Sequence, residues 1–181
     1  MLEDFETYLK ISDTSDLDWL FALTKHPEHY VRARVAYWAP MFQARFFECL
    51  AHDTHHAVRA NVVSNHTTSP RQSELIYRAE FSKPREEMSV FLLQVLASKP
   101  GMSEAVYQRL YDLDSWCVSI ALAHNSSCLK NILKKFAKLP VEMKAVGRNY
   151  AGYDTNKEIR MAARRRLGLP IEETEYELNT Q

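Results

Sequence analysis

The sequence predicts an all-α protein built from stacked two-helix units. Apolar residues recur at three- and four-residue spacings, and no convincing two-residue alternation of the kind that strands show is found. The 181-residue chain has only four glycines and seven prolines, while Ala, Leu, Lys, Arg and Glu, which favour helix, are abundant. Segments of similar pattern also recur along the chain, as they do in helical repeat proteins.

The predicted helices follow from local start and stop signals. Residues 1–10 carry apolar residues at helical spacing and are expected to form a helical cap. Ser69 before Pro70, with Gln72 three residues after the serine, is typical of a capped helix start. The other predicted helices run from Ser15 or Asp16 to Lys25, from Tyr30 to Ala39, through Phe42 to Leu50, around Val58 up to Asn65, from Arg85 to Ser98, from Ser103 through Leu110, from Trp116 to Asn125, over 128–138, over 141–150 and from Ile159 to Leu167.

Four segments can be aligned on their helix stop signals. They are VRARVAYWA from Val31, VRANVVSNH from Val58, FLLQVLASK from Phe91 and VSIALAHNS from Val118, at intervals of 27, 33 and 27 residues. Each is interpreted as the second helix of a two-helix unit, which cannot bury its apolar stripe alone and must stack on its neighbours. We therefore predict one right-handed α-solenoid domain of about five repeats with helical caps over residues 1–170, followed by an acidic tail over 171–181.

The stretch from Ala51 to Pro70, AHDTHHAVRANVVSNHTTSP, is the clearest copy of the unit. A polar turn, then VRxxV, then Asn, then a Ser-Pro helix start resembles the variant leucine-rich repeat and, more loosely, HEAT repeats. The VR pair recurs at Val31-Arg32 and, as Ile159-Arg160, near the end, whereas the last aligned segment has Ser119 in place of the arginine. Some variant leucine-rich repeat proteins carry an N-terminal cysteine cluster for iron–sulfur binding. That cluster has no counterpart here, so we expect no cofactor.

Three arginines suggest a binding face. Arg32, Arg59 and Arg160 each follow the first apolar residue of a helix, so stacking is expected to align them along the concave face, where they could grip an acidic partner or phosphates. Alternatively, each bonds an acid or carbonyl of its own turn, such as Glu28 for Arg32 or Asp53 for Arg59, and staples the repeat. The candidate binding residues are Arg32, Arg59, Asn61, His66, His124 and Arg160.

Other notable side chains have plainer interpretations. Cys49, His52 and His56 share a helical spacing, but a zinc site usually needs four ligands, so we expect no metal, with the histidines in an exposed turn and Cys49 facing the core. Asn65 and Asn125 are interpreted as left-handed helix ends. Trp19, Trp38 and Trp116 are predicted to lie in the core, and one exposed in the groove would anchor a partner.

The charge distribution and the motifs limit the classes of function that the sequence supports. The net charge is zero, but residues 1–30 are acidic and residues 130–166 are basic. No glycine-rich phosphate loop, HExxH motif or serine-hydrolase signature is present, so catalysis has no support. The leading hypothesis is a non-enzymatic protein-binding scaffold or inhibitor-type module. The alternative is a nucleic-acid-binding HEAT-like protein, possible relatives being alkylpurine DNA glycosylases. The N-terminus is acidic and no apolar run could span a membrane, so we expect a cytoplasmic protein with no membrane partner.

Overall fold

The computed structural model describes residues 7, 9–12, 14–140 and 155–171, and it confirms the all-α prediction. These residues form ten α-helices, one 3₁₀ turn and no strand. The predicted helices over 1–10 and 141–150 and the predicted tail over 171–181 fall wholly or mostly outside this part of the chain. The helices are α1 (Leu17–Leu23), α2 (His29–Trp38), α3 (Ala44–Ala51), α4 (His56–Ser64), α5 (Pro70–Phe81), α6 (Val90–Ser98), α7 (Glu104–Tyr111), α8 (Trp116–His124), α9 (Lys130–Phe136) and α10 (Thr155–Leu167), with the 3₁₀ turn at Arg85–Glu87 between α5 and α6.

The even-numbered helices pack side by side in chain order. Helix α2 contacts α4, α4 contacts α6, α6 contacts α8, and α8 contacts α10. The odd-numbered helices α1, α3, α5, α7 and α9 each pack against the even-numbered helix that follows in the chain. We call the two sets the second layer and the first layer, after their order within each helix pair.

The helices of the second layer run parallel to one another. At the N-terminal ends, the ring of His29 in α2 stacks on His55, the residue before α4, with 3.8 Å between centroids. At the C-terminal ends, the Asn65 side chain after α4 hydrogen-bonds the carbonyl of Ala39 after α2. Contacts that join like ends of neighbouring helices require the parallel orientation.

The core lies between the layers and between neighbouring helices of the second layer. Its second-layer members include Val31, Val58 and Val118, as the aligned segments predicted. From the first layer, Phe46 and Ile76 are buried against them. In α6 the prediction is wrong by one residue, because Phe91 is 51% exposed and the buried stripe begins at Leu92. Because each stripe is covered by a neighbouring unit, the buried apolar surface is shared between units and does not belong to any single pair.

The C-terminal ends of the second-layer helices are joined by a series of hydrogen bonds that we call the cap chain. Nδ2 of Asn65 lies within 2.8–2.9 Å of three carbonyls at the end of α2, including that of Ala39. Lys99 donates to the Asn65 carbonyl at 3.2 Å, and Asn125 donates to the Lys99 carbonyl at 3.0 Å. Arg166 in α10 donates to the carbonyl of Asn125. Each helix end is therefore capped by a side chain of the next second-layer helix.

The prediction that Asn65 and Asn125 adopt left-handed backbone conformations is wrong. Their φ angles are −60° and −69°, with extended ψ angles. At the end of α4, the Val62 carbonyl accepts instead from the Asn65 amide and from the Thr68 hydroxyl, the latter at 2.6 Å. The side-chain oxygens hold the extended backbone, because each accepts the amide two residues later, from Thr67 and Ser127 respectively, at 2.8 Å.

Local signals place some helix starts correctly and misplace others. The predicted capping box at Ser69 is confirmed, with Gln72 completing it. The helix predicted from Arg85 is wrong at its start, since α6 begins at Val90 and Ser89 is its N-cap. The predicted start of the last helix at Ile159 is also late, because α10 already includes the four preceding residues.

Replacing Asn65 by alanine is expected to lower the free energy of unfolding by about 2–3 kcal/mol, because several buried carbonyls lose their donor together. Urea unfolding followed by circular dichroism measures the change. Asn61→Ala is the matched control, since the Asn61 side chain donates to Ala57 within its own helix, and its effect should stay within about 0.5 kcal/mol. Equal losses in the two variants would contradict the structural role of the cap chain.

Candidate functional site

Arg32 joins two consecutive turns of the array. Its Nε and Nη2 atoms bond the two carboxylate oxygens of Asp53 at 2.6 and 3.0 Å, a bidentate pair. Its Nη1 donates to the carbonyls of His26 and Pro27, in the turn before its own helix, at 2.7 and 2.8 Å. The guanidinium therefore fixes the turn before α2 against the turn before α4.

Arg59 repeats this arrangement one unit later. Its Nη1 donates to the carbonyls of Asp53 and Thr54 at 2.7 and 3.0 Å, and its Nη2 bonds the carboxylate of Glu80 at 3.0 Å. In both units the acid lies 21 residues after the arginine. We call these two pairs the staples. The sequence predicts, as the stapling alternative, that each arginine bonds an acid or carbonyl of its own turn. The carbonyl bonds agree with this, but each arginine pairs with an acid of the next helix pair.

The staple carboxylates also hold the starts of the following second-layer helices. Asp53 accepts the amide of His55, the N-cap of α4, and Glu80 accepts the amide of Ser89, the N-cap of α6. Burial acts to raise the pKa of Asp53, but the hydrogen bonds from Arg32 and the His55 amide outweigh it and hold that pKa below its ordinary value. Burial likewise opposes ionisation of Glu80, and its bonds to Lys83 and the Ser89 amide lower its pKa overall.

The six candidate binding residues do not form a single site. Arg32 and Arg59 are largely buried in the staples and form no ladder on an exposed face. Asn61 is half-buried in α4, His66 is exposed in the turn after α4, and His124 is exposed at the end of α8. Arg160 lies half-buried in α10.

A different surface emerges on the second layer. Helices α4, α6 and α8 each have a second-layer neighbour on either side and first-layer helices on a third, so their exposed residues lie on the remaining side. We call this side, continued onto α2, the open face. Four aromatic side chains on it are 42–53% exposed, whereas aromatic side chains that belong to a core are mostly buried. The exposed residues that define the open face are Tyr37, Trp38, His56, Phe91, Trp116 and His124.

Two of the three tryptophans are therefore not core residues. Trp38 is 42% exposed and Trp116 is 53% exposed, so the prediction that they are buried is wrong, whereas Trp19 is half-buried. Trp38 continues the stripe of Val31 and Val35, which are buried, but it is the last residue of α2 and is exposed at the end of the helix. Trp38 instead packs edge-on against Tyr37 and lies under the guanidinium of Arg34, whose carbon is 5.3 Å from the ring centroid.

Histidines line the N-terminal edge of the open face. The ring of His55 stacks between His29 and His56, with centroid distances of 3.8 and 4.7 Å, and His56 meets Phe91 of α6 edge-on at 6.2 Å. Nδ1 of His55 accepts the amide of Ala57 and so caps α4. Burial lowers the pKa of His55, and the neighbouring His29 and His56 lower it further.

The charge of the second layer is the signal that the sequence interpretation missed. The sequences of α2, α4, α6 and α8 contain no Asp or Glu, whereas α1, α3, α5 and α7 each contain at least one. The acids closest in sequence precede the helices: Asp53 is bonded to Arg32, whereas Glu28, Glu86, Glu87 and Asp114 are exposed. The pattern is visible in the sequence once the helices are assigned to layers.

The cysteine and histidine cluster forms no metal centre in the part of the chain that is described. No group of three His, Cys, Asp or Glu side chains there could hold a metal ion. Cys49 is exposed, contrary to the prediction, because Phe46, Phe47 and Leu50 occupy the buried side of α3. Cys128 is buried, and burial raises its pKa to about 11. Among the described helices, none has the length and apolar character needed to cross a membrane.

Comparisons with known proteins assign no family to this arrangement: no family model matches the chain, and neither a curated protein nor a solved structure matches it. The resemblance to variant leucine-rich and HEAT repeats therefore stays a prediction that rests on the repeat pattern.

Arg59→Ala is expected to lower the free energy of unfolding by about 2–3 kcal/mol, because it leaves two turn carbonyls without their donor and leaves the buried Glu80 carboxylate with only Lys83 and the Ser89 amide. Chemical denaturation measures the loss. Arg78→Ala removes an exposed arginine from α5 and is the matched control, with an expected change within about 0.5 kcal/mol. A loss below about 1 kcal/mol for Arg59→Ala would show that the staple is dispensable.

His55→Asn is expected to reduce the pH dependence of stability. Because the pKa of His55 is lowered on folding, the unfolded chain binds the proton more readily, so its contribution is present above about pH 6.5 and is lost as the pH falls towards the folded-state pKa. Asparagine can still cap α4 but does not titrate.

Unfolding free energies measured between about pH 7.5 and pH 5 should therefore fall less steeply in this variant than in the wild type. His66→Asn, at an exposed histidine outside the stack, should follow the wild-type curve. Parallel curves for wild type and His55→Asn would contradict this role of His55.

Proposed function

We propose that the chain is a non-enzymatic protein-binding module that uses the open face of its second layer. The observation that carries the proposal is the set of exposed aromatic side chains on three parallel helices, Trp38 on α2, Phe91 on α6 and Trp116 on α8. Large aromatic side chains supply much of the binding energy at protein interfaces, and exposing them to water without a partner is unfavourable.

The proposed architecture is a right-handed α-solenoid of about five two-helix repeats, with α1 to α10 as its five pairs. The side-by-side parallel packing of the even-numbered helices and the recurrence of the staples support this reading. An array of this kind presents an extended surface to a partner, and here that surface is the open face. The cytoplasm stays the predicted location.

Protein is favoured over nucleic acid as the partner. The nucleic-acid alternative relies partly on Arg32 and Arg59 as phosphate-binding residues. Both guanidinium groups are instead bonded to carboxylates in the staples. The exposed lysines of α9, which are Lys130, Lys134 and Lys135, still support it at one end of the chain. The residues that define the open face are aromatic side chains and histidines, and they do not include the lysines or arginines that bind a phosphate backbone.

Replacing Trp38, Phe91 and Trp116 together by alanine is expected to abolish partner capture with little effect on stability, since all three side chains are at least 42% exposed. The wild type and the triple variant serve as baits in an extract of the cells from which the gene comes. A bound protein should be depleted at least about tenfold on the variant.

Leu75→Ala is the matched control, because Leu75 is a 50% exposed apolar residue on α5 in the first layer. This bait should capture the same protein as the wild type. Equal capture by the triple variant, or no protein above the background of the empty matrix, would refute the proposed function.

A further inference from the structure

We infer that the partner binds through a basic segment, whose arginine or lysine side chains lie over Phe91 and Trp116 and pair with the carboxylates that precede α6 and α8. This chemistry rests on the proposed function and refines it, because it concerns one part of the open face together with the turns beside it. We call this region the acidic edge. Its defining residues, all exposed, are Glu86, Glu87, Phe91, Asp112, Asp114 and Trp116.

The two turns that carry these carboxylates adjoin each other. Helices α6 and α8 pack side by side in parallel, so the 3₁₀ turn before α6 and the turn over 112–115 before α8 lie at the same edge of the layer. The guanidinium of Arg85 donates to the carbonyl of Leu113 and joins the turns directly. Phe91 is the second residue of α6 and Trp116 is the first residue of α8, which places both rings next to these turns.

The carboxylates of the acidic edge are available to a partner. In the described part of the chain, those of Glu86, Glu87 and Asp114 form no ion pair and accept no hydrogen bond. That of Asp112 accepts from the neutral side-chain amide of Gln108 and keeps its charge. Helices α6 and α8 contain no Asp, Glu, Lys or Arg, so the turns before them determine the charge of this edge.

The cations of the described residues nearby do not cancel this charge. Those closest in sequence are Lys83, which pairs with the buried Glu80, and Arg85, which is bonded between the turns. At the neighbouring start of α10, Lys157 and Glu158 carry opposite charges. Each helix dipole adds roughly half a positive charge at its N-terminal end, so the four carboxylates still outweigh the positive charge beside them. The acidic edge is therefore complementary to a cationic partner.

The exposed rings favour a cation over a neutral side chain. Five other aromatic rings in the described residues lie under a cation of the chain itself, 4.7–5.5 Å from the ring centroid, and these pairs are Phe21 and Phe46 with Arg45, Trp38 with Arg34, Phe81 with Arg109 and Tyr111 with Lys135. Phe91 and Trp116 are 51% and 53% exposed, and no described cation covers them. A guanidinium or ammonium group of the partner can occupy this position, where it gains from the ring and from the nearby carboxylates.

The distance between the two helices determines the spacing of the basic residues. Neighbouring packed helices lie roughly 8–10 Å apart, so a segment that reaches both Phe91 and Trp116 spans about this distance. Extended chain advances roughly 3.3–3.6 Å per residue, so two basic residues about two or three positions apart fit the two rings. Trp38 lies at the C-terminal end of α2 and belongs to a different part of the open face.

A phosphate backbone and a metal ion fit the acidic edge less well. Unpaired carboxylates repel phosphates, and nucleic-acid binding relies on exposed cations that replace counterions. No group of three His, Cys, Asp or Glu side chains in the described part of the chain could hold a metal ion. A basic peptide can satisfy the carboxylates and the aromatic rings together.

The test is selection of a displayed library of random peptides of about eight residues on the full-length protein, because their extended length of roughly 28 Å exceeds the helix spacing. Binders are counter-selected on the Phe91→Ala/Trp116→Ala variant, which removes peptides that bind elsewhere. Each selected peptide is then synthesised with its Arg residues and with the neutral isostere citrulline in their place, or with its Lys residues and with norleucine. Affinities are measured at low and at high salt.

We expect the selected peptides to be enriched in Arg and Lys, and the neutral versions to bind about tenfold more weakly. The Glu86→Gln/Glu87→Gln/Asp114→Asn variant should weaken the basic peptides by a similar factor and should reduce the loss of affinity with added salt. This variant is expected to fold like the wild type, because the three side chains are exposed and form no ion pair.

Two control variants should bind the same peptides as the wild type does. Glu48→Gln removes an exposed acid from α3 in the first layer. Trp38→Ala removes a 42% exposed ring from the C-terminal end of α2, away from the acidic edge. Equal weakening by either control and by the triple charge variant would overturn the acidic edge as the binding site.

Three further outcomes would also overturn the inference. Neutral or acidic peptides that need Phe91 and Trp116 would remove the basic chemistry but leave the proposed function intact. Failure of every selected peptide to depend on these two rings would remove the site, as would tighter binding of a single-stranded oligonucleotide that depends on them. The proposed function falls separately, if the triple aromatic variant captures as much partner as the wild type.

Discussion

The ends of short helices are the constraint on which this structure depends. Each helix leaves four amides and four carbonyls without partners in its own backbone, and the second-layer helices α2, α4, α6 and α8 are only nine or ten residues long. A large share of their backbone therefore needs outside partners. The staples and the cap chain supply them, with Glu80 at the start of α6 and Asn65 at the end of α2. The cap chain reaches from one unit to the next, and each staple carboxylate, which holds a helix start in its own unit, is paired with an arginine of the preceding unit.

This dependence explains why the units stack in register. Isolated helices of this length are marginal in water, so neighbouring units must supply most of their stability. Arg59 illustrates the geometry, because one guanidinium bonds the turn before its own helix and the acid that holds the next helix start. Parallel orientation follows, since the staples join N-terminal ends and the cap chain joins C-terminal ends. In α6 the first buried residue is Leu92, and the residue after it, where α2 and α4 have arginine, is the buried Leu93; in α8 this residue is Ser119.

Local features of the fold could be predicted from the sequence, and features that depend on neighbours could not. The capping box at Ser69 involves residues three apart, and the buried stripe around Val58 follows from helical spacing. The acid partner of each arginine lies 21 residues away, which no local rule identifies. For Trp38 the apolar pattern places the ring near the stripe, but exposure is decided by whether another helix covers that side. The absence of acids from α2, α4, α6 and α8 is visible in the sequence, but it acquires meaning only when these four helices are known to lie side by side.

The division of charge links stability to function. The staples neutralise their arginines and carboxylates inside the array, so these groups contribute little field at the open face. The chemical character of the open face is therefore determined by side chains that are not part of the core, such as those of Phe91 and Trp116. In the proposed binding module, substitutions there are expected to alter partner choice at little cost in stability, whereas substitutions at Arg59 or Asn65 disturb two units at once. A surface of this kind can therefore change its specificity while its scaffold stays fixed, which is the property that a binding module requires.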